Sequence, residues 1–119
     1  MCDGHGVYGK EVSNTIKVNF PTLLKKNIGK MLKAGGFEGP PPQEVKNALM
    51  KTFKEMNEIL FTCSIDILLS GSTCNIVLVV KDTVYVANVG DSRSVLYKQT
   101  ADNHIVTIPV SEDHKPCLE

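Results

Sequence analysis

Three short segments carry residues whose types and spacing could do chemistry: Asp3-Gly4-His5-Gly6, Ser70-Gly71-Ser72-Thr73 and Asn88-Val89-Gly90-Asp91-Ser92-Arg93. Hard divalent cations such as magnesium and manganese take oxygen ligands, chiefly carboxylates, backbone carbonyls and water. Asp3 offers a carboxylate, and Gly4 offers a carbonyl that no side chain of its own obstructs. The adjoining His5 can carry a proton at neutral pH, as a general acid must. Asp91 is a further carboxylate, set in a turn after an apolar run. Each also has a plainer reading. Asp-Gly is among the commonest turn pairs, and Asp91 can cap its own turn by pairing with Arg93 or with backbone amides. Asn88, Ser92 and Arg93 read as turn-stabilising residues. Ser70, Ser72 and Thr73 read as fixing a helix-to-strand transition, because no acid-base partner stands at a recognisable spacing. His104 and His114 read as surface residues.

These segments must be positioned by the elements around them. From Glu11 to about Ala34, Val12, Ile16, Phe20, Leu23, Leu24, Ile28, Met31 and Leu32 recur at helical spacing, with Pro21 in their midst. The expectation is one helix broken near Phe20, or two short ones. Gly35 to Pro42 reads as a loop, whose last prolines stand where a new helix can begin. From Gln43 onward, Val45, Leu49, Phe53, Met56, Leu60, Cys63 and Ile67 fall on one face of a long helix. Its polar face, with Glu44, Lys46, Lys51, Lys54, Glu55 and Glu58, mixes signs as a solvated surface does.

Past Gly71 the pattern turns to β-branched runs. Asn75 to Val80 and Thr83 to Val89 are separated by a tight turn at Lys81-Asp82, and Ser94 to Tyr97 and His104 to Pro109 follow. Helices first and consecutive strands after predict an α+β fold, an antiparallel sheet packed against a helical layer. Residues 1–69 would supply a strand end and the helices, and residues 70–119 the β-rich part.

Taken in order, together with Asp113-His114-Lys115-Pro116, the three segments resemble the PP2C or PPM type of metal-dependent protein serine/threonine phosphatase. The resemblance covers nearly the whole chain and corresponds to the central portion of that family's catalytic domain. It implies about half of an α-β-β-α sandwich. It implies magnesium or manganese as cofactor in a two-metal site, with Asp3 bridging the metals, the Gly4 carbonyl holding one, and Asp91 helping to hold a further, weaker one. It implies His5 as general acid in the direct hydrolysis of protein phosphoserine and phosphothreonine by water, with no covalent enzyme intermediate. None of the cysteines has an arginine at the spacing of a Cys-x5-Arg phosphatase loop, in keeping with that chemistry.

Family members also carry an arginine and an acidic pair upstream of the DGH segment and further aspartates downstream of DHKP, for which this sequence has no counterpart. The chain alone is therefore expected to be inactive and competent only within a longer polypeptide. The alternative is a truncated or pseudo-phosphatase serving as a binding or structural component. The expected partner is a phosphoprotein substrate if the protein is active, and otherwise a protein that covers the open sheet.

Composition narrows the field further. With 119 residues and 42% hydrophobic content, the chain has the material for a single core. Thirteen basic residues balance thirteen acidic ones, so no global field draws it to nucleic acid or to an anionic membrane. Cys2, Cys63, Cys74 and Cys117 form no CxxC pair and no zinc-ligand spacing. They read as reduced thiols packing as small hydrophobes, with no redox role. A cytoplasmic or nuclear location is the matching expectation, and no apolar run is long enough to span a bilayer.

Overall fold

The structure, a computed structural model, describes residues 1–34 and 39–115. Two helices and six short strands follow one another as β1 (Gly4–His5), α1 (Gly9–Ala34), α2 (Pro42–Thr62), β2 (Gly71–Ser72), β3 (Cys74–Val80), β4 (Thr83–Val89), β5 (Val95–Gln99) and β6 (Ile105–Pro109). The strands pair as three antiparallel ribbons, β1 with β2, β3 with β4 and β5 with β6. The architecture is α+β, as the succession of helical and then alternating patterns requires.

Pro21 does not break the first helix: α1 runs for 26 residues with the proline inside it. Pro21 removes one backbone donor, but it lies on the exposed face, where water can satisfy the carbonyl it leaves behind. The opposite face, with Val12, Ile16, Phe20 and Ile28, is buried and holds the element together. The second helix is shorter than its apolar pattern. α2 ends at Thr62, and Cys63 is already extended. There the Thr62 hydroxyl donates to Glu58 O and Ile59 O, and the Cys63 thiol to Leu60 O, so side chains take up terminal carbonyls. Ile65 and Ile67 continue to pack on the core from irregular backbone. The expected loop at Gly35 to Pro42 falls in part outside the described residues, as do Pro116 and Cys117.

The core has two parts. Near the start of α1, Val12, Ile16 and Phe20 meet Met56 and Cys74, and Phe20 meets Phe53 edge to face with ring centroids 4.9 Å apart. Farther along, Ile28, Val45, Ala48 and Leu49 cluster with Tyr85, flanked by Ile76, Leu78 and Ala87. The interface between the helices also carries one satisfied polar group. Fully buried Thr52 donates to Ala48 O at 2.7 Å and accepts from Asn27 Nδ2 at 3.0 Å.

Alternation along β3 and β4 therefore puts Cys74, Ile76, Leu78, Tyr85 and Ala87 on the helices, while Val77, Val79 and Val84 point the other way and are more than half exposed. The β5–β6 ribbon is exposed along its whole length.

Candidate active site

The three chemistry-bearing segments converge at one end of the sheet. β1 lies antiparallel to β2, with Gly4 opposite Ser72 and His5 opposite Gly71. The pairing continues backward along the chain, since Thr73 N donates to Asp3 O and Asn75 N to Met1 O, both at 2.9 Å. Asp3 and Gly4 are thus held on an ordered rim. Gly4 could be no other residue here, because a Cβ would stand 1.9 Å from the carbonyl oxygen of Gly9, in the first turn of α1. The backbone carrying Asp3 is pressed directly onto the start of that helix.

One hydroxyl links the segments that carry the two candidate carboxylates. Asp3 N donates to Thr73 Oγ1 at 3.0 Å, and the same oxygen shares a proton with Ser92 Oγ at 2.7 Å. Thr73 is buried, and it touches residues 70 positions before it and 19 after it. Gly90 completes the contact, for its φ is +98° and a Cβ there would lie 2.7 Å from Thr73 Cγ2.

A polar lattice fixes the turn from the other side. Buried Asn75 donates to Asn88 Oδ1 at 2.9 Å and accepts from the Ser94 hydroxyl. Asn88 Nδ2 in turn donates to Gly90 O and Glu112 O at 2.9 and 2.7 Å. The Arg93 guanidinium forks onto Asp113, Nε to Oδ1 at 2.8 Å and Nη2 to Oδ2 at 2.7 Å. That fork holds the Asp113 carboxyl below its ordinary value and raises Arg93.

The plainer reading of Asp91 as the partner of Arg93 is thereby corrected. Arg93 is turned away to Asp113, and the Asp91 carboxylate, which is exposed, makes no hydrogen bond or ion pair among the described residues. The Asp3 carboxylate is likewise uncommitted to any described residue and exposed. The His5 imidazole is exposed and lies against Gly71. His114, expected at the surface without a role, lies against the turn, where its Nδ1 accepts from Gly90 N at 3.4 Å. His104 stands 3.6 Å from Asp102 on the exposed ribbon, away from these contacts.

The donor set suits a hard divalent cation in kind: the Asp3 carboxylate, the Gly4 carbonyl and, on the linked turn, the Asp91 carboxylate. It does not suit a pair of such ions in number. Among the described residues no group of three or more histidine, cysteine, aspartate or glutamate side chains could hold a metal, and two closely spaced dications need several carboxylates to offset their charge.

Sequence reasoning missed the roles of Thr73, Asn75 and Asp113. Thr73 reads locally as a strand-start residue, and no spacing signals a bond across 70 positions. Asp113 was more accessible, since Arg93 is the sole arginine of the chain and a forked carboxylate is its preferred partner.

Comparison with known proteins agrees with this geometry. A family profile described as protein phosphatase 2C matches residues 1–119. Protein phosphatase 2C 1 of Paramecium tetraurelia is 37% identical to the chain over 126 residues, covering 96% of the chain and 36% of the relative. Probable protein phosphatase 2C 35 of Arabidopsis thaliana is 36% identical over 114 residues, covering 96% and 29%. Probable protein phosphatase 2C 73 of the same plant is 30% identical over 128 residues, covering 98% and 34%. The chain spans about a third of the length of these curated relatives.

Proposed function

Because the chain belongs to the protein phosphatase 2C family, we propose that it supplies part of the catalytic centre of a metal-dependent protein serine/threonine phosphatase and acts within a longer polypeptide. One observation carries the reading. Neither the Asp3 nor the Asp91 carboxylate makes a hydrogen bond or ion pair among the described residues, and Arg93, the cation nearest Asp91 in sequence, is engaged by Asp113 instead.

Magnesium or manganese, when bound, would supply Lewis-acid activation of water and charge neutralisation on a phosphoryl group. Asp3 and Gly4 would hold such an ion, and Asp91 would contribute from the linked turn. His5, exposed beside them, would hold the proton that the leaving serine or threonine oxygen requires. Thr73 keeps the two segments in register. The remaining carboxylates and the phosphate-binding arginine would come from the rest of the longer polypeptide. The substrate class is a phosphoserine- or phosphothreonine-containing protein, and the three free thiols among the described residues favour a cytoplasmic or nuclear setting.

The test is manganese-dependent release of phosphate from a phosphothreonine peptide by the longer polypeptide, with Asp3→Asn alongside. Activity that falls by orders of magnitude in the variant supports the proposal, and a variant as active as the parent contradicts it.

The outward valines favour a second reading, a non-catalytic binding or structural component whose exposed sheet face is covered by a protein partner. A longer polypeptide that binds a partner through this face yet releases no phosphate would decide for it.

A further inference from the structure

The strand pairing that positions Asp3 also brings two cysteines face to face. Met1 and Asn75 exchange both backbone hydrogen bonds, Met1 N to Asn75 O at 2.7 Å and Asn75 N to Met1 O at 2.9 Å, and Thr73 N donates to Asp3 O. Cys2 and Cys74 lie between these rungs as a directly opposed, non-hydrogen-bonded pair. In that position the Cα atoms of an antiparallel pair stand about 4.5 Å apart, inside the range of about 4.4–6.8 Å that a disulfide spans. Both side chains face the helices, where Cys74 is a core residue and Cys2 packs against the same cluster. The other cysteine among the described residues, Cys63, donates to Leu60 O at the end of α2.

We propose that Cys2 and Cys74 are a thiol modification site, closing into a reversible cross-strand disulfide under hydrogen peroxide. Cys2 reacts first because it is only half-buried and opens onto a cleft of about 510 Å³ lined by Met1, Ser13, Ile16 and Phe20, whereas Cys74 is sealed in the core. Burial also holds the Cys74 thiol protonated, pushed up to about 12. The Cys2 sulfur attacks one peroxide oxygen; the O–O bond breaks, Cys2 becomes a sulfenic acid and one water leaves. The Cys74 sulfur then attacks the Cys2 sulfur and displaces the hydroxyl, which departs as a second water with the Cys74 proton. The two thiols lose two electrons and the peroxide gains them.

A dithiol reopens the bond by thiol–disulfide exchange, entering through the cleft on which Cys2 lies. The bond's place is one residue from Asp3 on one strand and one residue from Thr73 on the other. The proposal gives two of the cysteines a role besides packing, and it stands independently of the phosphatase assignment.

Peptide mapping of the full chain decides it. After peroxide treatment and blocking of free thiols, tryptic digestion should yield residues 1–10 joined to residues 55–81 with the loss of two hydrogens, and dithiothreitol should release them. Because residues 55–81 also contain Cys63, the mapping is repeated on Cys63→Ser, which should retain the crosslink, and on Cys2→Ser, which should lose it completely. Absence of the crosslink, its disappearance in Cys63→Ser, or oxidation of Cys2 to sulfinic acid with Cys74 still free would overturn the proposal.

Discussion

The two faces of the β3–β4 hairpin are built from the same class of residue and meet opposite fates. On one face Ile76, Leu78, Tyr85 and Ala87 pack on α1 and α2. On the other, Val77, Val79 and Val84 are 54%, 63% and 58% exposed, and a shallow cleft runs from Val77, Val84 and Val86 to Val95 and Leu96. A strand meant to face water on one side alternates apolar with polar residues, whereas a near-continuous apolar run belongs to a sheet covered on both sides. The hairpin is thus written for two covering layers and has one in this chain. The chain's span of about a third of its relatives' length accords with that.

The contrast can be broken hardest from the covered side. Phe20→Ala should cost about 3–5 kcal/mol, since a buried aromatic that joins α1 to α2 leaves a cavity; urea denaturation should show the midpoint collapse. Thr73→Val comes next. It strips the acceptor of Asp3 N and the partner of Ser92 while keeping volume, and should cost about 1–3 kcal/mol.

Acid should act more gently at the turn. The Arg93 fork holds Asp113 below its ordinary 3.8, so its contribution is fully present above that value and drains away as pH falls through the lower folded value. Asp113→Asn should flatten this acid limb in a stability-against-pH series. Alkali acts on the core instead. Cys74 is raised from 9.0 to about 12, so the unfolded chain loses a proton that the folded chain keeps, and stability should fall as pH climbs above 9. Cys74→Ala should remove that fall.

The smallest effect belongs to the open face. Val79→Thr should change the stability of this chain by no more than about 0.5 kcal/mol. In the longer polypeptide the same change should cost more if a second layer covers the face, and an equal, near-zero cost in both would sink the two-layer account.

How far the sequence could be read follows from the range of the forces involved. Helix positions, the Lys81-Asp82 hairpin and the α+β order were legible because periodicity and turn chemistry are local. The continuity of α1 through Pro21 was not, because tertiary burial of its apolar face outweighs a local breaker that faces solvent. Asp3, Gly4, His5 and Asp91 were visible only through their motifs, while Thr73, the residue that ties the motifs together, leaves no local trace. The early end of α2 was hidden for a different reason: the apolar pattern of Cys63 and Ile67 serves the core whether or not the backbone is helical.

Titration of the chain with manganese by calorimetry tests the proposal that Asp3 receives a divalent cation. The expected result is a weak, saturable, single-site isotherm that Asp3→Asn abolishes and Asp82→Asn, on the far hairpin turn, leaves unchanged. Absence of saturable binding, or binding that survives Asp3→Asn, would contradict it.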